Sequence, residues 1–243
     1  MIKEQNKLEE IVGILGFGEV GKAIAHFYKN PRIKDVVTKE PLGKLDILHI
    51  CIPYNESFIY TVRTEIENTQ PTVTIIHSTV PVGTTEKIGG HIVHSPIRGV
   101  HPFLYKQIKS FVKYIGADDI QDGLVAQIHL NSLGIKTEVF LRSKTTELGK
   151  LVSTAYYGLC IAYHGEVQKM CDKAGVEFGR VMTHFNQTYN DGYKKEEMDF
   201  VIRPTLYSPS KHGIGGHCII QNATILKDFM ESPAIDLILK YKK

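Results

Sequence analysis

Three groups of residues in this 243-residue chain have the types and spacings that chemistry uses. The first is Gly16-x-Gly18-x-x-Gly21, which follows the apolar run Ile11 to Leu15 and precedes a helical repeat of Val20, Ala23, Ile24, Phe27 and Tyr28. In such a turn the first glycine permits the tight bend and the second lets a pyrophosphate approach the backbone. The third lets the helix pack close to the strand, and the helix start offers unpaired N–H groups to an anion. Phe17, Glu19 and Val20 belong to the same expected dinucleotide surface, and Pro53 joins it from beyond a later strand. An acid that binds ribose is expected at the end of the second strand, about 20 residues on. That strand reads as ending Val37-Thr38-Lys39-Glu40. Glu40 would bind the ribose hydroxyls of NAD, while Thr38 and Lys39 would bind the 2′-phosphate of NADP. The balance leans to NAD.

The second group surrounds Cys218, in Gly213-Ile214-Gly215-Gly216-His217-Cys218. A ligand can come close to a cysteine in a glycine-rich loop. Backbone N–H groups around Gly215 and Gly216, with His217, would favour its thiolate. A free cysteine is otherwise a small buried hydrophobe, the reading kept for Cys51, Cys160 and Cys171. No CxxC pair occurs, so neither a metal site nor a disulfide framework is expected. The third group is Lys150 and Thr154, four apart on one helical face, with Glu147 three before the lysine. The plain alternative there is a surface Glu–Lys pair of little energetic value.

These residues need elements to hold them. Apolar segments at 35–37, 47–52, 73–77, 91–95 and 113–116 read as strands, with helical stretches such as 57–66 between them. Alternating strands and helices predict an α/β fold, a Rossmann-type doubly wound parallel sheet. After Leu141 the pattern changes. Leu148, Leu151, Val152, Ala155, Tyr156, Leu159 and Tyr163 form one apolar stripe, continued by Val167 and Met170 and stopped at Gly175. A further helix runs from Phe178 to Asp191-Gly192, and a last one starts near Ala223, with Asn222 as a favoured cap. The expected division is a dinucleotide-binding domain over 1–142 and an all-α domain with a long central helix over 143–243. The stripe predicts a homodimer, because a small domain must cover it with a partner surface. Apolar residues make up 42% and charged residues 23%, with a net charge of +3 and no basic cluster. Nucleic acid and membrane partners are therefore not expected. The opening MIKEQNKLEE has no apolar core, and a cytoplasmic enzyme with free thiols is expected.

Several blocks also carry a family resemblance. Ser78-Thr79-Val80-Pro81-Val82-Gly83-Thr84 closely resembles the STVPVGT segment of the UDP-glucose and UDP-N-acetylmannosamine 6-dehydrogenases. Gly213 to Ile219 resembles their GVGGHCI, and Thr146 to Lys150 resembles the AELxK start of their central helix. The residues from Ala162 to Gly175 resemble its continuation. The resemblance implies oxidation of a sugar C6 alcohol with NAD. Cys218 would attack an enzyme-bound aldehyde, and the resulting thiohemiacetal would be oxidised to a thioester that water cleaves. Lys150 would stabilise the oxyanion, Thr79 would position water or a substrate oxygen, and Arg203 would meet a phosphate. Gly215, Gly216 and His217 would line the substrate.

The sequence departs from that family in four ways. It is shorter and ends soon after the cysteine loop. Asn222 stands where the family has Asp, Thr154 where it has Asn, and Ile97 in place of Glu within Ser95-Pro96-Ile97-Arg98. An amide cannot take a proton from water as a carboxylate does, so thioester hydrolysis is the step these changes affect most. The competing expectations are a single-step dehydrogenase of the 6-phosphogluconate and β-hydroxyacid type, and a dinucleotide-binding module without catalysis.

Overall fold

Short runs of Val, Ile and Leu form one seven-stranded sheet, and helices connect most of the strands. The computed structural model describes residues 10–100, 102–209, 213–215 and 218–242. The chain begins with β1 (Val12–Leu15), α1 (Glu19–Ala25), β2 (Arg32–Lys34), β3 (Ile47–Ile50) and α2 (Phe58–Thr69). It continues through β4 (Val73–Ile76), α3 (Thr84–Ile88), β5 (Ile92–His94), α4 (Leu104–Ser110), β6 (Lys113–Ala117), α5 (Ile120–Ser132) and β7 (Thr137–Leu141). The sheet order is β2-β1-β3-β4-β5-β6-β7. Neighbours are parallel, with one exception: β5 and β6 run antiparallel through Val93–Ala117 and His94–Gly116. The doubly wound parallel sheet is as the sequence predicts, and the β5–β6 junction is its one antiparallel departure. A strand buried on both faces reads the same in either direction.

Helices cover both faces. Val12, Ile14, Ile47, Val73, Ile75 and Val93 pack with Ala23 and Ile24 of α1, Leu104 and Ile108 of α4, and Ala126 and Leu130 of α5. Leu15, Leu48, Ile50, Ile76 and Ile92 pack on the opposite side with Phe58 and Val62 of α2 and Ile88 of α3. Because β1 pairs with both β2 and β3, the strand order reverses there. A crevice opens at such a switch point, outside the carboxyl ends of the strands.

The first face also buries a polar chain. His129 Nδ1 meets Glu10 Oε2 at 2.7 Å, and its Nε2 meets the Tyr28 hydroxyl at 2.7 Å. That hydroxyl meets His49 Nε2 at 2.7 Å, His49 Nδ1 meets His77 Nε2 at 2.8 Å, and His77 Nδ1 donates to the Ser95 carbonyl at 3.0 Å. Burial holds the His49 and His77 imidazoles well below their ordinary values.

The chain divides into two compact units, Met1–Lys150 and Leu151–Lys243. The long helix α6 (Ser143–Ala174) gives its first two turns to the first unit. It ends where Gly175 takes φ +69°, as its sequence predicts. The second unit is helical: the rest of α6, a π-helical turn (Gly179–His184), α7 (Phe185–Lys195), a 3-10 turn (Asp199–Val201), α8 (Cys218–Phe229) and α9 (Pro233–Leu239). Three expectations are corrected here. Gly192 lies inside α7 and does not close it. The last helical region is two helices, the second opened by Pro233, which suits a first helical position. Asn222 lies in the second turn of α8 and does not cap it. Among the described residues no helix is long and apolar enough to cross a membrane.

Candidate active site

The three glycines of the turn differ in what surrounds them. Gly16 has φ +96°, and a Cβ there would stand 2.8 Å from the Cys51 backbone. A Cβ on Gly21 would overlap the Gly16 carbonyl oxygen, so close helix–strand packing excludes one. At Gly18 a Cβ would meet nothing within 4 Å, and the backbone is extended at φ −71°. Two glycines are thus required by the fold, while the middle one faces open, exposed space. Those are the three roles such a turn assigns. Phe17 and Glu19 flank Gly18, Val20 packs against the core, and Pro53 is exposed just past β3 at the switch point.

The end of the second strand is corrected. β2 is Arg32–Lys34, and Thr38, Lys39 and Glu40 lie beyond its end on an exposed loop. Val36 and Val37, read as strand, are 84% and 88% exposed. β2 is an edge strand with polar Arg32 and Lys34, so its apolar signal is weaker than that of the neighbouring valines. The residue at its carboxyl end is Asp35, whose Oδ2 accepts the Phe17 N–H and whose Oδ1 accepts the Val36 N–H at 2.6 Å. Asp35 lies near the spacing from Gly16 that the motif calls for, but the polar strand before it and the valines after it mask it in the sequence.

The Ser78–Gly83 segment is fastened from two sides. His94 Nε2 donates to the Ser78 carbonyl at 3.1 Å, and its Nδ1 accepts from Thr146 Oγ1 at 2.8 Å. Burial lowers the His94 pKa to about 3, against the pull of the Ser78 carbonyl. Glu147 is fully buried and accepts from Gly83 N at 2.5 Å, Thr85 N at 2.8 Å and Thr85 Oγ1 at 2.7 Å. It is therefore not a surface partner of Lys150. It caps α3 and fixes the loop that carries Thr79, which is half-buried. No sequence spacing reveals a contact made across more than sixty residues.

Lys150 Nζ donates to the Ile97 carbonyl at 2.8 Å. Lys113 Nζ donates to the adjacent carbonyls of Ser95 and Pro96 at 2.6 and 3.3 Å. Two amines thus bracket the Ser95-Pro96-Ile97 backbone, and the Ile97 side chain is buried. Burial lowers the Lys113 pKa to about 7, with Lys150 and Arg98 acting in the same direction against Cys51. Burial pushes the Cys51 thiol up.

In the second unit Cys218 is exposed and opens α8, while Asn222, one turn on, is buried and its Nδ2 has no hydrogen-bond partner among the described residues. Thr154 is half-buried on α6, and Gly215 is exposed. Arg203 is tied through its backbone to Asn190, with both bonds at 2.9 Å. Its guanidinium lies 4.3 Å from the Tyr189 ring centroid and 5.6 Å from that of Tyr193. Gly216 and His217 lie outside the described residues.

No protein-family model matches the chain. It is 24% identical over 200 residues to a UDP-N-acetyl-D-mannosamine dehydrogenase of Methanocaldococcus jannaschii, a match covering 72% of this chain and 43% of that protein. The chain therefore spans less than half the length of that relative. The fold resembles the UDP-D-ManNAc dehydrogenase of Pyrococcus horikoshii with a TM-score of 0.74 at 18% identity, over 96% of this chain and 68% of the other. It also resembles 3-hydroxyisobutyrate dehydrogenase of Mycobacterium tuberculosis, with a TM-score of 0.68 at 12% identity over 96% and 92%.

Proposed function

We propose that the chain is an NAD-dependent dehydrogenase acting on an alcohol or aldehyde group of a sugar-like substrate, with a nucleotide sugar as the first candidate. The observation that carries this reading is the Gly16–Gly21 turn at the switch point, open only at Gly18 and backed by the Asp35 carboxylate. The turn would bind a pyrophosphate through its backbone N–H groups. Asp35 would accept from the ribose hydroxyls and repel a 2′-phosphate, which favours NAD over NADP. Bound there, the cofactor supplies the hydride acceptor.

The chain's own residues would do the rest. Cys218 is exposed, so a substrate carbonyl can reach its sulfur. Attack forms a C–S bond and moves the carbonyl electron pair onto oxygen, where the Lys150 ammonium would balance the charge. Thr79, held by the Glu147 and His94 fastenings of its loop, would orient a substrate oxygen. Arg203 and the Gly215 backbone would meet the substrate's phosphates and sugar. Thr154 and Asn222 would contribute hydrogen bonds but no general base.

The names of the relatives select the probe: NAD with UDP-N-acetyl-D-mannosamine and its aldehyde, following the reduced cofactor. Wild type should turn over, and Cys218→Ala should lose aldehyde oxidation while binding NAD unchanged. Equal turnover by both proteins removes Cys218 from the mechanism. The absence of a base at Asn222 and Ile97 favours a second reading, a single two-electron oxidation. One reduced cofactor per substrate identifies that reading, and two identify the four-electron route.

The partner proposed is a second copy of this chain. Val152, Tyr156, Tyr163 and Met170 leave the stripe of α6 half uncovered, with Tyr156 63% exposed.

A further inference from the structure

Alanine would serve a helix better than glycine, yet α6 holds three glycines, and two of them, Gly158 and Gly165, open gaps against other elements. Each gap is filled by one side chain. A Cβ on Gly158 would overlap Cγ2 of Ile219, and a Cβ on Gly165 would stand 2.6 Å from Cε1, Cζ and the hydroxyl oxygen of Tyr241. The two positions are two turns apart on one face of the helix, with Ala162 buried between them.

Both gaps bear on the same loop. Ile219 is the residue after Cys218. Tyr241 reaches the other flank, where its backbone carbonyl accepts the Ile214 N–H at 2.8 Å, and Ile214 is buried. The Tyr241 ring is itself fixed. Its hydroxyl donates to Glu166 Oε1 at 2.8 Å, and Lys169 Nζ lies 4.8 Å from the ring centroid. Lys169 and Lys240 reach the same Glu166 oxygen at 2.8 and 3.0 Å.

We propose that Gly158 and Gly165 are positioning residues for Cys218: they are notches in α6 that seat Ile219 and Tyr241 and so clamp the cysteine loop on both sides. This rests on the reading of Cys218 as the nucleophile. The clamp itself can be measured without substrate.

The test compares Gly165→Ala, Tyr241→Ala and Tyr241→Phe with wild type. It follows amide hydrogen exchange over 213–222 and the rate at which iodoacetamide labels Cys218, with buried Cys171 as control. Gly165→Ala raises helix propensity, which opposes the cost of displacing the ring. Gly165→Ala and Tyr241→Ala are expected to speed loop exchange by about tenfold or more. They should alter Cys218 labelling, leave Cys171 protected and lower kcat with NAD affinity unchanged. Tyr241→Phe keeps the ring and the carbonyl and loses only the Glu166 bond, so it should lie closer to wild type than either alanine variant. Loop exchange equal to wild type in both alanine variants overturns the proposal. So does equal damage by Tyr241→Phe, or a rise in labelling that Cys171 shares. A loosened loop in a protein that never turned over would uphold the clamp and sink the catalytic reading instead.

Discussion

In the proposed cofactor site, Asp35 is the residue on which the choice between NAD and NADP would turn. Its two oxygens already accept from Phe17 and Val36, so the carboxylate is held at the mouth of the turn. A dianionic 2′-phosphate brought there meets like charge, and wild type should prefer NAD to NADP by about tenfold or more, ~1.4 kcal/mol. Asp35→Asn keeps an acceptor for the Phe17 N–H and removes the charge, so it should narrow that preference. Titrating both cofactors into both proteins checks this, and NADP binding wild type as tightly as NAD contradicts it. The tight packing at Gly16 and Gly21 and the open position of Gly18 were legible from spacing alone, whereas Cys218 stood out only through its glycine-rich context and the family resemblance. Asp35 was not, because the edge strand before it is polar and the exposed valines after it imitate a strand. The role of Glu147 was not legible, because its nearest partners in sequence and in space differ.

Among the elements, β3, β4, α5 and the turn after α1 share a polar chain with a proton deficit. His77 Nδ1 must donate to the Ser95 carbonyl, which makes His77 Nε2 an acceptor and His49 Nδ1 a donor. Tyr28 must then donate to His49, and His129 Nε2 must donate to Tyr28. A neutral His129 is left with only a lone pair to offer the Glu10 carboxylate. Burial holds the His129 pKa down against the pull of Glu10. At neutral pH and above, the deficit therefore falls on this contact. Glu10→Gln supplies an N–H there and completes the chain. It should stabilise the protein by about 1 kcal/mol at pH 8, roughly 3 °C in Tm. The gain should shrink as pH falls, because wild type then protonates His129 and forms the ion pair. A Glu10→Gln protein less stable than wild type at pH 8 contradicts this account. Both proteins should weaken below about pH 6.5. His49, His77 and His94 stay neutral when folded but take up protons when unfolded, so stability is complete above the unfolded value and lost as pH falls toward the folded ones.

For the whole molecule, the α/β class, the long helix and the all-helical second unit followed from periodicity, because buried strands and amphipathic helices leave different repeats. The antiparallel β5–β6 junction, the continuation of α7 past Gly192 and the early start of α8 did not. Strand direction leaves no trace in a buried run, and packing overrides a lone glycine. The half-uncovered stripe on α6 predicts a dimer in sedimentation equilibrium, and a monomeric mass at high protein concentration contradicts it. The central claim is that the first crevice holds a dinucleotide, and calorimetric titration of NAD into wild type and Gly18→Val tests it most directly. A Cβ at Gly18 meets nothing within 4 Å and needs no unusual backbone, so the fold should keep its Tm while the pyrophosphate loses its place. Saturable binding by wild type, weakened by about tenfold or more in Gly18→Val, is the predicted result. No binding by wild type, or equal binding by both proteins, contradicts it.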